Sequence, residues 1–278
     1  PHGPVFQRPR VPAGDERSLE RQAIHGVLMI TSTLAQRLDE LVTANRILAR
    51  EGVVDSFGHV SVRHPEAPGR YLLSRARAPE CIEIEDVMEF ALDGAAIDAA
   101  GRKPYAERFI HGAVYEARPE IQAVVHHHSP GVIPFGVTGT RLRPIMHMCA
   151  SMGTDVPVWD SRTAFGDTNL LVTDMAMARD LAAALGGRPV ALMRGHGCVV
   201  AGGSLREVVF NSIYLELNAE LQMKAHALGE VTFLSDGEVR AILSTRSSFT
   251  FERAWERWCR RAGRPYDARP MEGPLAKP

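Results

Sequence analysis

The chain predicts an α/β fold, a mixed sheet held between layers of helices, and three observations carry that expectation. Long segments place apolar residues at helical spacing. Short runs of apolar residues at strand length lie between them. Glycines and an Asp-Gly pair mark the joints. Taken in order, Leu34, Leu38, Leu41, Val42 and Leu48 recur on one helical side, and Gly52 gives that helix a stop. Strand-like runs follow at Val60 to Arg63, Tyr71 to Ser74 and Val87 to Leu92, the last closed by the hairpin-type Asp93-Gly94. A helix is expected next, with Pro104 near its first turn, Phe109, Ile110, Ala113 and Val114 as its apolar side, and Glu107 upon it. A strand from Ile121 to His128 comes after it. Asp174 to Leu185 reads as a helix ended by Gly186-Gly187, followed by strands at Pro189 to Met193 and Cys198 to Ala201. Ser204 caps a long helix reaching about Leu228, with Glu207 at capping-box spacing.

Composition bounds what such a fold can do. With 278 residues, 45% hydrophobic, the chain can bury a large core as one domain, expected over residues 17–267, with an N-terminal arm over 1–16 and a tail over 268–278. A formal net charge of -1 offers no field for nucleic acid or an anionic membrane. The arginines Arg253, Arg257, Arg260, Arg261 and Arg264 are interleaved with Glu252, Trp255 and Glu256, the pattern of an interface helix or a solvated face. Cys81, Cys149, Cys198 and Cys259 form no Cys-x-x-Cys pair, so reduced thiols are expected. No stretch reads as a secretory signal or reaches spanning length, and the expected location is the cytoplasm.

The chemistry is carried by a few polar residues. Side chains alternate faces along a strand, so in Val124-Val125-His126-His127-His128-Ser129 the imidazoles of His126 and His128 project to one side and His127 to the other. His196, between Gly195 and Gly197, follows the apolar run Pro189 to Met193 and is presented at a strand end by backbone able to turn tightly. With Glu107 these make three imidazoles and one carboxylate, a donor set suited to zinc, manganese or iron rather than calcium. His111 lies one turn beyond Glu107, placed to orient it or to pack. His2, His25, His64 and His226 belong to no constellation.

The ordered set Glu107-x-x-x-His111, Ala123-Val124-Val125-His126-x-His128-Ser129 and Arg194-Gly195-His196-Gly197, with Glu51 to Arg63 upstream, resembles the class II aldolase and adducin superfamily over roughly Leu34 to Leu228. The resemblance implies a three-layer α/β/α fold whose central mixed sheet is largely antiparallel. It implies that His126, His128 and His196 bind a divalent metal, manganese first and zinc next, with Glu107 as a ligand or acid/base group. Cyclic homotetramers with sites between subunits are also expected. In the superfamily's sugar-phosphate aldolases the phosphate is held by an asparagine and a pair of hydroxyl residues, where this chain has His59, Tyr105 and Ala106; that loss of donors disfavours a phosphorylated substrate.

His59, Ser74, Arg75, Arg77 and Tyr105 could instead hold a carboxylate and a ring hydroxyl. The Gly58-His59-Val60-Ser61 and His126 to Pro130 segments are most similar to the superfamily's decarboxylases of aromatic acids that carry a hydroxyl beside the carboxylate. The expected substrate is 3-hydroxy-2-methylpyridine-4,5-dicarboxylate of vitamin B6 breakdown, with 3,4-dihydroxyphthalate and 2,3-dihydroxy-p-cumate as alternatives. His147 lies about where the aldolases have a tyrosine acid that reaches a neighbouring subunit, so it is the second candidate catalytic residue beside Glu107. A metal-dependent aldolase or epimerase acting on a non-phosphorylated substrate, and an adducin-like binding scaffold, are the competing readings.

Overall fold

The short apolar runs assemble into one sheet, and the amphipathic stretches cover both of its faces. The computed structural model describes residues 34–266. The strands β1 (His59–Arg63), β2 (Arg70–Ser74), β3 (Val87–Ala91), β4 (Ala123–His127), β5 (Val158–Trp159), β6 (Val190–Met193) and β7 (Gly197–Gly202) lie in the order β3-β2-β1-β4-β7-β6-β5. Every pairing is antiparallel except that of β5 with β6, so the sheet is mixed and largely antiparallel. Burial explains the composition of these strands. Every residue of β1, β4, β6 and β7 is buried, as continuous apolar runs covered on both faces require, whereas the edge strand β3 alternates between buried and half-buried positions.

Helix α1 occupies 34–50, α2 is Phe109–Ala117, α3 Ile133–Val137, α4 Arg162–Phe165, α5 Met175–Leu185, α6 Leu205–Leu228, α7 Asp236–Thr245 and α8 Ser248–Arg261. Two cores result, one on each side of the sheet. On one side Leu41, Ile47 and Leu48 of α1, Phe210 and Leu215 of α6, and Trp255 and Trp258 of α8 pack on Val60, Val62, Val125 and Val200. On the other, Ile110, Val114 and Tyr115 of α2 and Leu181 and Leu185 of α5 pack on Tyr71, Leu73, Val124, Val199 and Ala201. This is the three-layer arrangement. Val124 and Val125 thus belong to opposite cores, and the same alternation carries on through the histidines: His126 faces the α2 layer, while His127 turns to the other and meets the Cys198 Sγ at 3.1 Å.

Several boundaries differ from expectation for identifiable reasons. Glu107 is not on a helix. Pro104 pairs with Arg75 in an isolated β-bridge, so the chain is still extended there; residues 106–108 form a turn and α2 begins only at Phe109. The strand expected from Ile121 to His128 is trimmed to Ala123–His127, which leaves His128 just beyond the last ladder residue. Ser204 does cap α6 through its side chain, but the Glu207 carboxylate reaches back to the Gly203 amide rather than to that of Ser204. Helix α8 is neither purely interfacial nor purely solvated: Trp255, Trp258 and Cys259 are in the core, and Arg253, Arg257 and Arg260 are exposed. The short α3, α4 and β5 are too brief to show a period in sequence. The four cysteines are free, and no helix among the described residues is long and apolar enough to cross a membrane. The expected arm, tail, His2 and His25 lie outside the described residues.

One polar residue is built into the core. Arg63, only 7% exposed at the end of β1, donates to four backbone carbonyls, those of Ile121 (2.9 Å), Pro68 (2.6 Å), Tyr115 (3.0 Å) and Arg118 (3.2 Å), and its guanidinium lies 4.8 Å from the Tyr115 ring centre. It ties the turn after α2 to the start of β4. Gly112 serves the same region by close approach, since a Cβ there would lie 2.1 Å from the Leu92 carbonyl oxygen.

Candidate metal centre

The sheet, the α2 turn and one hairpin deliver four side chains to a single point. His126 is the next-to-last residue of β4, on the α2 face, His128 follows two residues later, His196 sits in the turn between β6 and β7, and Glu107 comes from the turn before α2. The β6–β7 turn is tight because Gly195 takes a φ of 66°, which lets the His196 amide donate to the Met193 carbonyl. Gly197 is required for a different reason: a Cβ would stand 2.2 Å from the His127 carbonyl oxygen and 2.9 Å from the His128 ring. One nitrogen or oxygen from each of Glu107, His126, His128 and His196 lies within 4.8 Å of all the others.

The outward hydrogen bonds decide which atoms face inward. His126 Nδ1 donates to the Cys198 carbonyl at 3.0 Å and His196 Nδ1 to the Leu170 carbonyl at 2.9 Å, so both Nε2 atoms point into the cluster with free lone pairs. Glu107 accepts the Val172 amide on Oε1 at 2.9 Å and turns Oε2 toward His196 (3.5 Å) and His126 (3.7 Å). His128 Nε2 is 2.9 Å from His126 Nε2 and 3.1 Å from His196 Nε2. Four donors set tetrahedrally about an ion at ~2.1 Å would stand about 3.4 Å apart, and the observed separations of 2.9 to 3.7 Å bracket that value. A single proton on His128 could bridge one pair of lone pairs but not both. The residues therefore fit a divalent transition-metal ion, and three nitrogens with one oxygen suit zinc, manganese or iron alike.

Electrostatics favours the neutral, ligand forms of His126 and His128. Burial, reinforced by the neighbouring imidazoles, drives His126 well below the ordinary histidine pKa and keeps it neutral. Burial also lowers His128. Burial would lower His196 too, but the facing Glu107 carboxylate, with the Leu170 carbonyl, outweighs that and raises it, so this position draws positive charge.

Around the four, the sequence's substrate candidates fall at different distances. His59 lies directly across the sheet from His126 in the β1–β4 register, with ring centres 5.1 Å apart, and its other flank meets Tyr105 at 4.6 Å. Tyr105 donates its phenol proton to the Arg77 carbonyl, and burial pushes its pKa up. Ser74 is fully buried at the end of β2. Arg75 and Arg77 both turn to Asp86, at 2.5 and 2.6 Å. Burial alone would raise the Asp86 carboxyl, yet these hydrogen bonds and that of the Glu83 amide hold it at about 2.

His147 is not brought to the cluster: it is exposed and lines a cleft of about 820 Å3 with Met148, Phe210, Tyr214, Glu216 and Trp258, among whose walls none of the four appears. His111 does not orient Glu107 but bonds to His59 and Ser61. The sequence reading missed the 168–172 loop, whose Leu170 carbonyl and Val172 amide hold two members of the cluster, and the Asp55 carboxylate, whose charge acts on His128. Neither had a signal of its own, since one acts through backbone and the other from an exposed turn.

A family profile described as Class II Aldolase and Adducin N-terminal domain matches residues 39–223. The decarboxylase tropJ of Talaromyces stipitatus is 34% identical over 245 residues, covering 79% of this chain and 91% of its own. A 3,4-dihydroxyphthalate decarboxylase from Arthrobacter keyseri is 31% identical and covers 80% and 92%. Among solved structures, an L-fuculose 1-phosphate aldolase from Glaciozyma antarctica PI12 superposes with a TM-score of 0.69 at 23% identity, over 84% of this chain and 92% of that one, a likeness of fold. On this match of sequence profile and three-layer architecture, the chain belongs to the class II aldolase and adducin family.

Proposed function

We propose that this chain is a divalent-metal-dependent, non-oxidative decarboxylase of an aromatic acid bearing a hydroxyl next to the carboxylate. The observation that carries the reading is the convergence of Glu107, His126, His128 and His196 beside a wall made of the His59 and Tyr105 rings. That wall suits a planar ring, and the two decarboxylases among the relatives support the reaction class. A bound ion would supply Lewis-acid stabilisation of the charge that collects on the ring oxygen. The protein's own part is positional. His59 and Tyr105 orient the ring, and Glu107, 8% exposed and held by Val172, is placed to deliver a proton to the ring carbon that bears the carboxylate. The bond from that carbon to the carboxylate then breaks, its electron pair restores the aromatic ring, and carbon dioxide leaves.

The sequence pointed first to 3-hydroxy-2-methylpyridine-4,5-dicarboxylate, while the name of the Arthrobacter relative favours 3,4-dihydroxyphthalate. Carbon dioxide release from each compound by manganese-loaded protein, with His128→Ala beside it, tests both. Release from either that disappears in the variant and with chelator is the expected result. No release from either by metal-loaded protein overturns the assignment in favour of a non-phosphorylated aldol substrate. His147 enters this reading only through a neighbouring copy in a homo-oligomer. Mixing inactive His128→Ala and His147→Ala proteins would then restore activity, and failure to do so removes His147 from the site.

A further inference from the structure

Behind His59 runs a chain of hydrogen bonds that the metal cluster does not use. His59 Nδ1 lies 2.6 Å from His111 Nε2, His111 Nδ1 lies 2.7 Å from Ser61 Oγ, and Ser61 Oγ lies 2.8 Å from the Tyr115 hydroxyl. All four side chains are 3% exposed or less. The secondary structure explains how they meet: His59 and Ser61 share one face of β1 two residues apart, and His111 and Tyr115 share one side of α2 four residues apart.

Proton bookkeeping gives the chain a direction. Burial holds His111 at about 3, so its imidazole carries one proton, and burial raises Tyr115 so that the phenol keeps its own; the 2.6 Å contact then makes His59 Nδ1 acceptor or donor according to which nitrogen of His111 bears that proton. The Tyr115 proton has Ser61 Oγ as its acceptor; the other group turned to the phenol, the Val124 backbone amide, can only donate. Ser61 Oγ has two polar partners, and with the Tyr115 proton already directed at it, the acceptor left for its own single proton is His111 Nδ1. His111 is then protonated on Nε2 and donates to His59 Nδ1. The opposite order would bury the Tyr115 O–H with no acceptor, an arrangement that folded proteins avoid. The last proton therefore sits on His59 Nε2, which takes no hydrogen bond among the described residues and lies on the side of the ring away from His111.

We infer that Tyr115, Ser61 and His111 are positioning residues that lock His59 in its Nε2–H tautomer, making it a neutral hydrogen-bond donor to an anionic oxygen of the substrate. The second half of the inference rests on the decarboxylase reading; the tautomer does not. A reversed chain would present a bare lone pair from Nε2, which could accept but not donate. The fixed proton puts a donor beside the cluster, at the position where the sugar-phosphate aldolases keep an asparagine amide.

The test is long-range nitrogen–proton NMR on zinc-loaded protein carrying 15N-histidine, with the His59 signals assigned by their loss in His59→Gln. The expected spectrum shows His59 Nε2 protonated and Nδ1 bare. The reverse pattern overturns the inference without any variant having to fold. In Ser61→Ala, His111 loses its donor and a mixture of His59 tautomers is expected; a His59 spectrum unchanged from wild type would show that the relay does not set the tautomer. Phthalate, which keeps the paired carboxylates without the reactive hydroxyl, is the probe for the donor role. It is expected to shift the His59 Nε2–H signal in wild type and to bind Ser61→Ala about tenfold more weakly, the worth of one hydrogen bond to a charged group. Saturating phthalate that leaves that signal in place overturns the donor role alone. Carbon dioxide release from the two hydroxy-dicarboxylates is read separately, so failure of the decarboxylase reading is not confused with failure of the relay.

Discussion

Zinc should raise the melting temperature of this chain, and the rise should depend on His128 but not on His127. The four donor atoms already converge within 4.8 Å, so binding favours the folded chain over an unfolded one in which they are scattered through the sequence. With free zinc at a hundredfold excess over the dissociation constant, the stabilisation is about 2.7 kcal/mol, and each further tenfold adds about 1.4 kcal/mol. For a chain of this size that corresponds to roughly 5–10 °C in Tm at hundredfold excess. The assay is thermal unfolding across a buffered zinc series. His128→Ala removes one of the three imidazoles, so its Tm should be nearly flat over the range in which wild type climbs. His127→Ala, which loses a contact with Cys198 and the acceptor of the Ser129 amide on the opposite face, should start lower and climb in parallel. A wild-type Tm that ignores a thousandfold change in zinc, or a His128→Ala curve with the wild-type slope, would refute the placement of these atoms around an ion.

Other consequences follow from polar groups in the frame. Arg63→Met leaves four backbone carbonyls without their donor and should cost ~3–5 kcal/mol in urea unfolding, far more than a surface arginine. Asp86 is held at about 2 against an ordinary 3.8, so its contribution is full above about pH 4 and disappears as the pH falls through 2. Asp86→Asn should therefore flatten the acid limb of the stability profile by ~1–2 kcal/mol, discounted because Arg75 and Arg77 are half in solvent; an unchanged limb between pH 4 and 2 would refute it. Gly197→Ala drives a methyl into the His127 carbonyl and the His128 ring, and should lower both Tm and zinc uptake, whereas Gly139→Ala, in open space, should change neither.

How much of this could be read from sequence depended on whether a feature was local. The period of two sends His126 and His128 to one face and His127 to the other, and the sheet keeps that arrangement because β4 is paired on both sides along its length. The cap at Ser204 was legible for the same reason: it acts within three residues. Glu107 was placed on a helix because the apolar side of α2 extends backward in sequence through Pro104, but the bridge between Pro104 and Arg75, a partner 29 residues earlier, keeps the chain extended. For His111 the sequence left open orienting Glu107 or packing, and its bonds to His59 and Ser61 were out of view because helical neighbours are visible in sequence and a strand lying beneath the helix is not. The roles of Leu170 and Val172 belong to backbone atoms and leave no mark on residue identity.

That loop carries one more implication. Leu170 is one of two described non-glycine residues with positive φ, at 68°, a conformation that costs a branched side chain on the order of 1 kcal/mol. The strain is sustained where its carbonyl holds His196, two residues before the amide that holds Glu107. Two donors from unrelated elements are thus indexed to one another by a single short span, as two pages are by one staple. A substitution that relaxed Leu170 would change no ligand and remove no donor, yet it would unfasten both at once, and the selectivity of the centre among metals of different preferred geometry would change with it.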